Sequence, residues 1–251
     1  HTLIMMGVRE MLGAMERRQG RGRAELRTVE LAGMKLAWVT LPEPEGASPR
    51  QRERQERRGW RLLRRAGVSQ VVLPGDWDGE VPAGFARVET LPFYRAQADL
   101  LALGALARQG IPPERACVGL SAPRLSSELQ RAALLLCPRV RRLAIDVPGG
   151  GAEYAQWLHR RYGLPVEPAG HADAAVHFGP CPAWARSGDV CLGEETFRLG
   201  GLRLCTPGLA LPEGYAEGLR AALWQRGLLR RDDLRVEWDG GGAWRRLKVN
   251  P

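Results

Sequence analysis

The chain has 251 residues, enough for one large domain or two small ones, and its 44% apolar and 26% charged residues exclude a disordered or fibrous class. A formal net charge of +9 invites a nucleic-acid reading, yet only Lys35 and Lys248 of the 37 basic residues are lysines, an arginine skew that GC-rich codon choice produces beside abundant Ala, Gly and Leu. No apolar run approaches the roughly 18 to 20 residues that cross a bilayer, so no membrane role is expected.

In chain order, residues 3 to 18 place Ile4, Val8, Met11 or Leu12 and Met15 on one face, which predicts a short amphipathic helix. That helix is a candidate contact for a homo-oligomer or a protein partner. Its apolar patch is short and lacks a preceding basic region, so no secretory signal is expected. "ERRQGRGR", 16 to 23, reads as a flexible basic linker, closing an N-terminal segment over 1–24.

A second part, 25–110, reads as α/β. "LAWVTL" (36 to 41) is a strand, and "PEPEGASP" is a loop. Ser48 and Pro49 start a helix, because a serine oxygen caps the free amides of the first turn and proline there loses no bond; Gly67 ends it. Its arginines are interleaved with Glu53 and Glu56, the pattern of a solvated face before that of a nucleic-acid face. "VSQVVLP" is the next strand, Asp76 and Asp78 lie in the turn "GDWDGEVP", and Tyr94, Ala98, Leu101 and Ala105 set a helical period over 92–110.

From 111 the alternation is regular. Strands are predicted at 115–120, 140–147, "LPVEP" and 172–179, with helices at 126–137 and 152–163 between them, so βαβ units and a parallel, Rossmann-like sheet are expected over 111–251. An irregular β-containing tail with one helix, "PEGYAEGLRAALWQRG", closes the chain.

Residues 115 to 182 resemble the nucleotide-binding half of shikimate dehydrogenase and glutamyl-tRNA reductase-like proteins. "RACVGL" enters a loop and helix, "RRLAIDV" presents Asp146 where such folds carry the ribose-binding acid, and "ADAAVHFGPCP" is similar to their later strand and catalytic-face loop. The resemblance implies a cofactor site for NAD or NADP. In place of G-x-G-x-x-G the first loop reads "VGLSAPRLSS", with Gly119 alone, so the motif is degenerate. The glycines Gly149, Gly150 and Gly151 lie one unit later and either turn the chain or face a ligand. The candidate cofactor residues are therefore Gly119, Asp146, Gly149, Gly150 and Gly151; no catalytic residue is assigned.

His171, Asp173, His177 and Cys181 fall close together, but no pair has finger-like or HExxH spacing, and no metal is assigned. His159, near a helix end, is expected to complement the dipole. Five cysteines without a CxxC pair fit free thiols in a reducing cytoplasm. The leading expectation is a cytoplasmic Rossmann-like protein with a degenerate dinucleotide site, acting by binding or assembly. The alternatives are an NAD(P)-dependent oxidoreductase and an RNA- or DNA-binding protein using Arg17 to Arg23 and Arg50 to Arg65.

Overall fold

The computed structural model describes residues 11–165, 167 and 169–238. In chain order the elements are β1 (Leu12–Gln19), β2 (Glu25–Leu31), β3 (Met34–Glu43), α1 (Pro49–Arg65), β4 (Gln70–Val72), β5 (Ala86–Arg87), α2 (Leu91–Ala96), α3 (Ala98–Arg108), β6 (Cys117–Ser121), α4 (Ser127–Leu136), β7 (Arg142–Asp146), α5 (Gly151–Tyr162), β8 (Ala174–His177), β9 (Val190–Cys191), β10 (Leu202–Cys205), α6 (Ala216–Gln225) and β11 (Arg235–Trp238). They form two compact units. One holds the described residues up to Thr90 together with Gly208–Arg230, the other Leu91–Pro207 with those from Arg231 on.

The first unit is a five-stranded mixed sheet in the order β2-β3-β1-β4-β5. β1 is central and parallel to β3 and β4. This corrects the helix expected over residues 3 to 18: Leu12, Gly13, Ala14 and Met15 are all buried, and a strand covered on both faces shows no alternation. Residues 12–19 are therefore a strand and not the expected partner-binding helix, and residues 1–10 lie outside the described residues. Nor is 16–19 a linker, since it continues β1. β2 and β3 form a hairpin whose two turn residues, Ala32 (φ 48°) and Gly33 (φ 78°), are both left-handed, as a type I′ turn requires.

α1 starts as expected. Ser48 Oγ accepts from the Gln51 amide at 3.4 Å, and the Ser48 amide donates to Gln51 Oε1 at 2.9 Å, a complete capping box with Pro49 at the first helical position. Its buried Trp60 and Leu63 join Met15, Val39, Leu41 and Val71 in the core. Ahead of α6, the Tyr215 hydroxyl donates to the Met15 carbonyl at 2.8 Å, tying the returning chain to the central strand.

The second unit carries a parallel sheet in the order β7-β6-β8-β9. Beyond β7, the Leu143 amide donates to Pro165 O and the Glu167 amide to Leu143 O, so the chain after α5 lies along that outer edge before crossing to β8. With that segment counted as third, the order becomes 3-2-1-4-5, and the unit is Rossmann-like. The second sheet is the antiparallel pair β10–β11, whose strands are far apart in sequence. α3, with every residue from Ala98 to Leu106 buried, packs against β8, β10 and β11. Its fully buried Asp99 is held bidentately by Arg231, at 2.7 Å to Oδ1 and closer to Oδ2. Cys181 and Cys191, 6.6 Å apart at Cα, form a disulfide, which overturns the expectation of free thiols for these two. No helix among the described residues is long and apolar enough to cross a membrane.

Candidate functional site

At the carboxyl edge of the parallel sheet, the chain leaves β6 toward one side and β8 toward the other. In open α/β sheets such a divergence leaves a crevice above the strand ends. A cleft of about 520 Å³ lies there, lined by the loops after β6, β8 and β9 and by the first turn of α4. That is the size range of sites for small ligands. Its charged residues are Arg95, Arg124, Glu128, Glu194 and Glu195. Arg95 is positioned by its Nε donating to the Leu192 carbonyl at 3.0 Å.

The start of α4 is where a dinucleotide fold receives pyrophosphate. Here the loop is Ala122-Pro123-Arg124-Leu125, and Ser126 caps the helix by accepting from the Leu129 amide at 3.3 Å. The first-turn carboxylate Glu128 is held below the ordinary range: its own backbone amide lowers it, partial burial opposes, and Ser126, Arg95 and Ser127 lower it further. A carboxylate thus already uses the positive helix end. Pro123 packs so closely on Gly179 that a Cβ there would lie 2.7 Å from the proline Cδ.

A polar row, buried at Ser121 and His177 and half-buried at Asp146, crosses the sheet at the strand ends. Asp146, Ser121 and His177 are register partners on β7, β6 and β8. Ser121 Oγ and His177 Nδ1 are 2.7 Å apart, and His177 Nε2 lies 3.4 Å from Asp189 Oδ2. An imidazole that donates Nε2–H to the carboxylate leaves Nδ1 to accept the serine hydroxyl. Trp184 covers the row: its Nε1 donates to Asp146 Oδ2 at 2.7 Å, and its ring meets His177 edge-on at 4.9 Å. Burial raises the Asp189 pKa, but hydrogen bonds from His177 and from the Arg186 amide outweigh it and leave it lowered.

Ser, His and Asp are the residue types of an acyl-transfer triad. The geometry is that of a staple instead: Ser121, His177 and Asp189 are 5%, 0% and 5% exposed, and the Ala122 amide that follows the serine is already donating to Asp146 O at 3.1 Å. No substrate carbonyl can reach the hydroxyl without opening the fold.

No family model matches the chain, and no curated protein matches it in sequence. Among solved structures it is similar to an L-tryptophan dehydrogenase from Nostoc punctiforme, with a TM-score of 0.30 and 12% identity over 67% of this chain and 56% of that one. The chain therefore spans little more than half the length of that enzyme. A shikimate 5-dehydrogenase-like protein aligns with a TM-score of 0.25 and 12% identity, over 74% of this chain and 73% of that one.

The residues singled out in the sequence do not converge on one site. Gly119 is not in a loop but inside β6, where a Cβ would lie 3.0 Å from Ala172 Cβ and 3.3 Å from Trp184 Cη2, so its smallness serves packing. Asp146 stands at the end of the second strand, as the resemblance implies, with its carboxylate engaged by Trp184. Gly150 caps α5 at φ 75°, a Cβ on Gly151 would lie 2.9 Å from Val147 Cβ, and Gly149 faces open space. Asp173 accepts from the Cys117 amide at 2.8 Å, away from His177. Asp78 pairs with Arg17 at 2.7 Å, and His159 Nδ1 lies 2.9 Å from the Leu164 carbonyl at the end of α5. Among the described residues no three His, Cys, Asp or Glu side chains are grouped to hold a metal ion. Glu128 and Trp184 were not anticipated. A carboxylate two residues past a serine cap in a glycine-poor loop is the one signal that could have pointed to the first.

Proposed function

We propose that the second unit is a ligand-binding module on a Rossmann-like sheet, whose dinucleotide site has been replaced by a cleft for a small zwitterion. The observation that carries this is Glu128 at the start of α4, beside Pro123 and Ser126, in the place where pyrophosphate would need bare backbone amides. A second dense negative charge there meets a carboxylate instead of an unfilled helix end. The cleft as a whole offers two guanidinium groups, Arg95 and Arg124, and three carboxylates, Glu128, Glu194 and Glu195. A ligand with one ammonium and one carboxylate satisfies both signs; a bare dianion satisfies one and is repelled by the other. The module acts by binding, with the polar row beneath it as structural support.

A thermal-shift screen tests this, because a ligand that binds only the folded state raises its stability by RT ln(1 + [L]/Kd). Free amino acids and short diamino or amino-acid-like zwitterions are expected to raise the melting temperature, and NAD and NADP to leave it unchanged. A rise with either dinucleotide at low concentration would overturn the proposal in favour of an oxidoreductase, with Asp146 and Gly149 to Gly151 as the residues to test.

A further inference from the structure

The first unit carries a basic surface whose continuity depends on how α1 folds back on the β1–β2 turn. Arg54, Arg58, Arg61 and Arg65 recur at steps of four, three and four residues, which at 3.6 residues per turn keeps them within an arc of about 60° on one face of α1. Arg23, from the turn before β2, joins Arg58, Arg61 and Arg65 around a shallow depression of about 320 Å³, whose other walls are Ala24 and Leu62. A second depression continues along the helix through Arg54 and shares Arg58 with the first. Five arginines thus lie in a strip along two adjoining depressions, the second of which also has Glu43, paired with Arg52, in its wall.

Alternation with glutamate in the sequence reads first as a solvated face. The structure shows where the acids go. Glu56 pairs with Arg17 at 2.6 Å, Glu53 with Arg57 at 3.6 Å, and Glu43 with Arg52 at 2.6 Å. Among the described residues no carboxylate pairs with Arg23, Arg54, Arg58, Arg61 or Arg65. Like charges at helical neighbour spacing repel one another. Guanidinium groups are also the side chains best matched to phosphate oxygens. The depression has no aromatic wall on which a base could stack.

We propose that this strip binds the phosphate backbone of nucleic acid, without sequence preference. One row of guanidinium groups meets successive phosphates, and bound counterions are released as it does so.

The test is fluorescence anisotropy of the full chain with a short mixed-sequence DNA duplex and an RNA hairpin. If four phosphates are neutralised, affinity for the duplex is expected to fall about 100-fold between about 50 and 200 mM salt, and the triple variant Arg58→Gln, Arg61→Gln, Arg65→Gln should bind weakly and lose only about 4-fold over the same range. A control with the same charge loss in the other unit, Arg141→Gln, Arg160→Gln, Arg161→Gln, should bind like the wild type. Circular dichroism checks that α1 survives, and Arg58→Lys, Arg61→Lys, Arg65→Lys, which keeps the charge, should retain most of the affinity. The proposal is overturned by no binding at about 50 mM salt, by equal losses in the strip and control variants, or by binding to heparin and anionic vesicles without binding to either nucleic acid.

Discussion

At the scale of single residues, the three consecutive glycines have three different reasons, which mutation can separate. Gly149→Ala meets nothing within 4 Å and is expected to be neutral within about 0.5 kcal/mol. Gly150→Ala forces a side chain to φ 75° and should cost about 1 kcal/mol, and Gly151→Ala presses on Val147 and should cost about 1 to 3 kcal/mol. Chemical denaturation of the three variants reads this order, and a large loss at Gly149 would point to a contact the fold does not explain. Asp189 gives a pH signature. Its folded pKa is lowered from 3.8, so the stability it contributes is fully present above the unfolded value and is lost as pH falls through the lower folded one. The melting-temperature gap between wild type and Asp189→Asn should be constant above about pH 5 and shrink below about pH 4. A gap that persisted unchanged in acid would mean the carboxylate charge contributes nothing.

At the scale of elements, what could be read in the sequence depended on whether local chemistry agreed with tertiary packing. The start of α1 was legible because Ser48, Pro49 and Gln51 write the cap locally, and the β6-α4-β7-α5-β8 alternation because each piece has its own period. β1 was not: apart from Gly13, "LGAMERRQ" is built of good helix formers, and only burial between β3 and β4 makes it a strand. The break at Gln97 that separates α2 from α3 left no trace in the apolar period. Of the site, the position of Asp146 could be read, but its partner Trp184 lies 38 residues away and belongs to no recognisable spacing. The same is true of Asp99 and Arg231, 132 residues apart, the ion pair that pins the last described strand to α3. Asp99→Ala leaves a guanidinium unpaired beside a dry helix and is expected to destabilise the second unit by about 3 kcal/mol or more. A smaller loss in denaturant unfolding would mean that the pair opens to water.

At the scale of the whole molecule, a formal charge of +9 looked like a by-product of composition, and its distribution says otherwise for one strip and not for the rest. Each unit brings its own candidate surface: an unneutralised arginine row on α1, and a mixed-charge cleft at the carboxyl edge of β6 and β8. The Rossmann-like topology was foreseeable from alternation alone, but the feature on which the proposed function rests, Glu128 in the first turn of α4, was not. The most direct measurement is therefore a calorimetric titration of NADP into the wild type and into Glu128→Gln, beside a titration of a zwitterion that scores in the thermal screen. The expected result is no heat of binding for NADP with the wild type, and saturable binding of the zwitterion that weakens in the variant. Submillimolar binding of NADP to the wild type, unaffected by the variant, would contradict the proposal that Glu128 has taken the place of the pyrophosphate.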